Sequence, residues 1–204
     1  MIALIDYDIG NLRSARRALE KVGADVVMAR TAEELLQADA AVLPGVGAFG
    51  DCMSNLRGRG LEEAVVAFAK SGRPFLGICV GLQMLFERGF ENGEHRGLGL
   101  IPGDVKLLNV MDMKIPQIGW NTIGIKKTGC PILTGIPDQS FFYFVHSYAV
   151  FPSDDRVVAA ETVYGQDYPS IIWKDNIFAT QFHPEKSQKT GLLLLENFVK
   201  YASK

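Results

Sequence analysis

The chain has 204 residues, 48% of them hydrophobic, and a formal net charge of −2, which fits a folded core and excludes a disordered polyelectrolyte. Its 21 lysines and arginines form no basic run, so neither a nucleic-acid footprint nor an anionic membrane surface is expected as a partner. The start, Met1 to Asp6, lacks a basic lead-in and meets Asp6 and Asp8 too early for a signal peptide, and no apolar run approaches the ~20 residues of a membrane span.

Cys52, Cys79 and Cys130 are few, odd in number and widely spaced. That usage predicts a soluble protein of the reducing cytoplasm and offers no metal-ligand spacing. No internal repeat, low-complexity segment or linker stands out, so one domain spanning 1–204 is expected.

In chain order, Ile2 to Asp6 reads as a buried strand and Tyr7 to Gly10 as a turn. Asn11 can cap a helix to about Val22, with Leu12, Ala15, Leu19 and Val22 on one face and Arg13, Arg16, Arg17 and Glu20 on the other. Ala24 to Ala29 is a second strand, Thr31 caps a short helix through Leu36, and Ala40 to Leu43 is a third strand. This alternation predicts a parallel sheet with right-handed crossovers. Leu61 to Lys70 is a helix with Leu61, Ala64, Val65 and Phe68 inward, and Glu87 to Gly97 reads as a charged loop. From Leu98 the pattern changes to short strand-like runs, at 105–110, 123–125, 141–145, 157–160, 171–173 and 177–182, which predict an antiparallel extension of the sheet. Gly191 to Tyr201 is a closing amphipathic helix.

The chemistry centres on Pro74 to Phe86. A short apolar strand passes through Gly77-Ile78-Cys79-Val80-Gly81 into residues with helical spacing, Leu82, Leu85 and Phe86. This is the nucleophile-elbow pattern with sulfur at its centre. A strand that turns so abruptly into a helix needs small residues on both sides, and the turn places Cys79 at a helix N-terminus, where N–H groups and the dipole favour a thiolate. A small buried core cysteine is the plainer alternative.

Upstream, Pro44-Gly45-Val46-Gly47-Ala48-Phe49-Gly50 follows the third strand. It lacks the Lys-Ser/Thr ending of a Walker loop. Gly45-x-Gly47-x-x-Gly50 matches a dinucleotide fingerprint as a string, but no acidic residue ends the next strand. A flexible turn and an oxyanion hole are the other readings, the latter sharing one substrate oxygen between amides of this loop and of the residue after Cys79.

A cysteine nucleophile needs a base. Of the three histidines, His95 sits in a charged loop and reads as solvated, and His146 follows the aromatic run Phe141 to Val145. His183 ends a strand and precedes Pro184-Glu185. Residues two apart in an extended segment point the same way, so Glu185 can orient the His183 imidazole while its other nitrogen faces the thiol.

Together, the Gly-x-Cys-x-Gly-x-Gln elbow (Gly77 to Gln83), the Pro-Gly-rich loop (Pro44 to Gly47) and His183-Pro184-Glu185 resemble, in order and across essentially the whole chain, the class I glutamine amidotransferases. The resemblance implies an α/β, flavodoxin-like three-layer fold whose central sheet is mostly parallel with an antiparallel extension. It implies a Cys79-His183-Glu185 triad that hydrolyses the side-chain amide of L-glutamine with no cofactor and no metal. Backbone amides of Val46 and Val80 would form the oxyanion hole, Gly47 and Gln83 would position the substrate, and Tyr143, His146, Ser147 and Tyr148 would contact its amino-acid head or the neighbouring interface. The Gly-rich segment Pro44 to Gly47 is the expected switch.

A second set of motifs, Asp6 to Leu12, Pro44 to Phe49, Pro116 to Asn121 and Tyr143 to Tyr148, is similar to the glutaminase subunits of imidazole glycerol phosphate synthases. That likeness implies a separate cyclase subunit, a (β/α)8 barrel, as heterodimer partner; 204 residues leave no room for a synthase domain. The barrel would use the ammonia to make imidazole glycerol phosphate and an aminoimidazole carboxamide ribotide in histidine biosynthesis. Asn11 and Trp120 are the implied interface residues. Gln117 stands where the family pattern has histidine, at a position associated with the interface, and Val80 stands where leucine is common. A glutaminase serving another synthase, and a cysteine peptidase or γ-glutamyl hydrolase, share the elbow and remain alternatives.

Overall fold

The computed structural model describes residues 1–111 and 113–203. The first half alternates as read: β1 (Ile2–Ile5), α1 (Leu12–Lys21), β2 (Val26–Ala29), α2 (Ala32–Leu36), β3 (Ala40–Gly45), α3 (Phe49–Gly58), α4 (Glu62–Lys70), β4 (Phe75–Cys79) and α5 (Val80–Met84). The second half is mostly strands: β5 (Phe86–Gly89), β6 (His95–Arg96), β7 (Ile101–Leu107), β8 (Gln117–Thr122), β9 (Gly124–Ile125), β10 (Phe141–His146), β11 (Tyr148–Pro152), β12 (Val158–Tyr164), β13 (Gln166–Lys174) and β14 (Ile177–Thr180), before α6 (Gln188–Ala202).

Eight strands form the main sheet in the order β2-β1-β3-β4-β14-β13-β12-β9. Its first five run parallel, and β13, β12 and β9 continue it antiparallel. Every residue of β1, β3, β4 and β14 is buried, as an interior sheet covered on both faces requires, so these strands are continuous apolar runs without alternation. On the covering layers α1 packs with α6 and α2 with α4. Among the described residues no helix is long and apolar enough to cross a membrane.

The antiparallel extension is real but smaller than the strand-like runs suggested. β7 and β11 belong to a separate four-stranded sheet, β11-β7-β5-β6, and β10 pairs with β8 in a two-stranded ribbon. The helix predicted to run from the elbow through Phe86 stops at Met84; Phe86 and the expected charged loop instead build the β5–β6 hairpin. Helix α3 was not among the expected elements, although Phe49, Cys52, Met53 and Leu56 form its buried face at i, i+3, i+4 and i+7. Thr31 caps α2 as expected, with the reciprocal Glu34 bond of a capping box, whereas Asn11 stands at the N-cap of α1 without a side-chain cap bond.

Candidate functional site

The parallel strands β3 and β4 deliver two backbone turns to one end of the sheet, with Gly45 opposite Cys79 in register. Three glycines make the turn possible. A Cβ on Gly81 would lie 1.9 Å from the Leu43 carbonyl oxygen, one on Gly77 2.8 Å from the Gly81 oxygen, and one on Gly45 2.7 Å from the Gly81 nitrogen. All three collisions are with backbone, so no side-chain movement relieves them. Cys79 itself is held at φ 56°, ψ −112°, a left-handed conformation that costs a non-glycine residue about 1–3 kcal/mol and persists only where surroundings impose it. The result is a sulfur projecting into a cleft of about 530 Å³, within the range of small-molecule sites, about 300–1,000 Å³.

His183 follows β14 and faces the same cleft. Its Nδ1 lies 2.8 Å from Glu185 Oε1, and both side chains are buried. The pair sits in a short 3-10 turn, Pro184–Lys186, rather than the extended segment expected, yet the two side chains still meet. Burial works against a charge on His183, but the neighbouring Cys79 sulfur and Glu185 carboxylate outweigh it and hold the imidazole well above its ordinary value. Backbone bonds fix the histidine: its N–H donates to the Tyr143 carbonyl at 3.0 Å, and the Tyr143 N–H donates to Ser187 Oγ at 3.0 Å.

The Pro44–Gly47 loop forms another wall. Gly47 takes φ +87°, where a side chain would be strained. The loop carbonyls are held from beneath by buried donors: Tyr7 Oη donates to Pro44 O at 2.7 Å and Cys52 Sγ to Val46 O at 3.3 Å. Burial pushes the Cys52 and Cys130 thiols up to about 11, leaving both protonated and unreactive. The dinucleotide reading of this loop fails on a contact. Glu91 Oε2 accepts the Phe49 N–H at 2.8 Å, so a carboxylate of the protein already occupies the N-terminus of α3, where a pyrophosphate would sit. His95, expected in solvent, packs over Gly50; a Cβ there would be 2.8 Å from its ring.

Of the predicted site residues, Val46, Gly47, Cys79, Val80, Gln83, His146, Ser147, Tyr148 and His183 line the cleft, and Glu185 stands behind His183. Tyr143, His146 and the motif position Gln117 each have partners within the protein. Tyr143 points to the outer face of the β8–β10 ribbon, edge-on to Trp120 at 6.1 Å between ring centroids. His146 has both ring nitrogens engaged within the protein, Nδ1 with Tyr148 O at 2.9 Å and Nε2 with Tyr168 Oη at 3.2 Å. Gln117, placed by its motif at an interface, is 3% exposed and its side-chain amide lies 2.8 Å from Tyr168 Oη. Asn11 is half-buried beside Pro44, His183 and Glu185, and Trp120 is 46% exposed.

Three residues of the site escaped sequence reasoning. Gln181 is buried; its Nε2 lies 4.0 Å from Cys79 Sγ, and its Oε1 accepts from Gln83 Nε2 at 3.2 Å. Its signal was available, since it precedes His183 by two in an extended run. Lys186, next to the His-Pro-Glu triplet, and Glu91, in the charged loop, also line the cleft. For Glu91 nothing in the local sequence marks it. The dipole support expected from α5 is small, because the helix has only five residues; Gln181 Nε2 and the Val145 carbonyl oxygen each lie 4.0 Å from the sulfur, with His183 beside it.

The chain matches the model of the family "Glutamine amidotransferase class-I" over residues 3–201. It is 52% identical over 202 residues to the imidazole glycerol phosphate synthase subunit HisH of Aquifex aeolicus, covering 98% of this chain and 97% of that protein. The HisH of Desulfitobacterium hafniense is 47% identical over 203 residues, covering 100% and 95%. A solved structure described as a glutamine amidotransferase superposes with a TM-score of 0.77 at 20% identity, covering 100% and 99%; at that identity it speaks for the fold. The chain therefore belongs to the class I glutamine amidotransferase family, among the HisH subunits of imidazole glycerol phosphate synthase.

Proposed function

We propose that the chain hydrolyses L-glutamine to glutamate and ammonia with Cys79 as nucleophile, His183 as proton carrier and Glu185 as its orienting carboxylate. The observation that carries this reading is the strained Cys79 projecting into a cleft that it shares with a buried His183–Glu185 pair. The Cys79 thiolate adds to the amide carbon, and the resulting oxyanion is met by backbone amides of Val46 and Val80. His183, cationic beside the thiolate, gives its proton to the amide nitrogen, the C–N bond breaks, and ammonia leaves a γ-glutamyl thioester. Neutral His183 then takes a proton from water as the hydroxide adds to the thioester carbon. Collapse breaks the C–S bond, restores the thiolate–imidazolium pair and frees the acid, which loses its proton to solvent.

A zwitterionic amino acid needs opposite charges at its head. Glu91 and Gln83 Oε1 suit the α-ammonium; Lys186 and the Gly47, Ser147 and Tyr148 backbone suit the α-carboxylate. Gln83 Nε2 is already held by Tyr148 O at 3.0 Å and by Gln181, which leaves its oxygen for the ligand.

Ammonia is easily protonated in water, so the product must pass directly into a second enzyme. The partner proposed is the cyclase subunit of imidazole glycerol phosphate synthase, a (β/α)8 barrel, bound as a heterodimer in the cytoplasm. The outer face of the β8–β10 ribbon supports this: Ile118, Trp120 and Phe141 are 63%, 46% and 59% exposed, and cross-strand pairing puts them on one side with Tyr143 and Val145. Such an apolar patch next to a catalytic cleft marks an interaction surface. The test measures glutamate release by the chain alone and with the barrel subunit and its ribotide ligand. A rate that rises by orders of magnitude in the complex and vanishes in Cys79→Ala is expected. Equal rates with and without the barrel would remove the partner, and turnover by Cys79→Ala would remove the nucleophile.

A further inference from the structure

Behind the cleft runs a line of buried side chains that the mechanism leaves unused: Gln117 on β8, Tyr168 on β13 and His146 on β10. They are 3%, 1% and 6% exposed, and Gln117 and His146 face each other across the ribbon register. The line continues from His146 Nδ1 to the Tyr148 carbonyl at 2.9 Å, which also accepts from Gln83 Nε2 at 3.0 Å. Gln83 in turn reaches Gln181, and Gln181 reaches Cys79 Sγ.

Counting protons along this line gives one consistent solution. The Tyr148 oxygen can only accept, so His146 Nδ1 carries a hydrogen. Burial drives the His146 imidazole down to about 4, so near neutral pH it has one ring hydrogen and Nε2 is an acceptor. Tyr168 must then donate to Nε2. Tyr168 has a single hydroxyl hydrogen, so it cannot also donate to Gln117. Thr162, its neighbour across the β12–β13 register, gives its own hydroxyl hydrogen to Thr122 O at 3.0 Å and supplies none to Tyr168. The conflict disappears when the Gln117 amide is turned over so that Nε2 faces Tyr168 Oη, an exchange between two nearly equivalent positions. No other side-chain hydrogen bond of Gln117 is lost.

We propose that His146 is a positioning residue: Tyr168 donates to its Nε2 and locks it as the Nδ1–H tautomer, so that it holds the Tyr148 carbonyl and through it the Gln83 and Gln181 amides beside Cys79, and Gln117 permits this by presenting an N–H rather than a competing acceptor to Tyr168. Its kinetic consequence rests on the glutaminase reading; the tautomer does not.

The test reads the His146 ring nitrogens by long-range ¹H–¹⁵N NMR near neutral pH, with no substrate present. The expected wild-type spectrum shows a neutral ring protonated on Nδ1. A neutral ring protonated on Nε2, or a cationic ring, overturns the proposal without touching the glutaminase reading. Two variants then separate positioning from packing. Gln117→Met removes the amide but leaves Tyr168 one acceptor, so the Nδ1–H tautomer persists. Gln117→Glu offers a competing acceptor, draws the Tyr168 hydrogen away, and leaves His146 cationic or protonated on Nε2. In the glutaminase assay with partner, Gln117→Glu raises KM for glutamine about tenfold with kcat changed less than about threefold, and Gln117→Met changes both less than about threefold. Identical ring spectra in the two variants would overturn the assignment.

Discussion

His146 gives the fold an acid sensitivity whose size can be worked out. In the folded chain its imidazole titrates at about 4, because burial penalises the charged ring; the contact with Tyr148 O, which favours charge, does not compensate, and His183 nearby adds repulsion. In the unfolded chain it titrates at about 6.5. The gap of about 2.5, at about 1.4 kcal/mol for each, corresponds to about 3 kcal/mol. The sign follows from proton counting. Between about 4 and about 6.5 the unfolded state binds a proton that the folded state refuses, so stability rises with pH. The contribution is complete above about 6.5, declines as the pH falls, and is exhausted below about 4. His183 acts on the other side: its folded value is raised, so its contribution is complete below about 6.5 and lost as the pH rises through that folded value. The acid window therefore separates His146 from His183, and comparison with a His146 variant cancels the carboxylates, such as Asp104 and Asp138, whose lowered values remove stability at the same acid end. Urea unfolding of the wild type and of His146→Gln across this range should show the wild type losing about 3 kcal/mol more than the variant. Parallel curves would mean that the ring is already charged, or already hydrated, in the folded chain.

Two further outcomes test the walls of the cleft. Gly81→Ala places a methyl group 1.9 Å from the Leu43 carbonyl oxygen, and with backbone on both sides it should cost more than about 4 kcal/mol in urea unfolding; a loss under about 1 kcal/mol would show that β3 and α5 can part. Glu91→Gln keeps an acceptor for the Phe49 N–H but removes the negative charge, so it should cost about 0.5–1 kcal/mol in stability and raise KM for glutamine about tenfold through the lost ammonium contact. An unchanged KM would assign Glu91 to the α3 N-terminus alone.

What the sequence made legible was set by how local the physics is. The elbow was legible because a tight strand-to-helix turn demands glycine, and Gly77 and Gly81 flank Cys79 at the required spacing. The His183–Glu185 pair was legible because both residues lie within one short turn. β1 to β4 were legible because strands buried on both faces are unbroken apolar runs. The failures are residues whose partners are distant in sequence. Glu91 meets Phe49 across 42 positions, and Gln83 meets Gln181 across 98. Both contacts depend on which strands become neighbours, and period-2 alternation carries no such information. The same limit hid the division into three sheets: the apolar spacing of β7, β10 and β11 is that of any half-buried strand, and only pairing tells them apart.

The β8–β10 ribbon then takes on a double meaning that its sequence alone conceals. Alternation sends Ile118, Trp120, Phe141, Tyr143 and Val145 outward, and Gln117, Phe142, Phe144 and His146 inward. The outward set is the apolar patch proposed for the partner. The inward set includes the tautomer line behind Gln83. Between the faces runs the ribbon's own backbone, and the Tyr143 carbonyl and N–H are bonded to His183 and Ser187. A side chain pressed by a partner and the backbone that steadies the catalytic imidazole therefore belong to one residue. The ribbon lies outside the main sheet, with the β8–β10 ladder its only sheet pairing among the described residues, and it is anchored instead through Phe142 and Phe144, both buried and packed on Phe182. The exposed tryptophan and the buried histidine follow from one strand register, and shifting that register by a single residue would exchange the faces and destroy both.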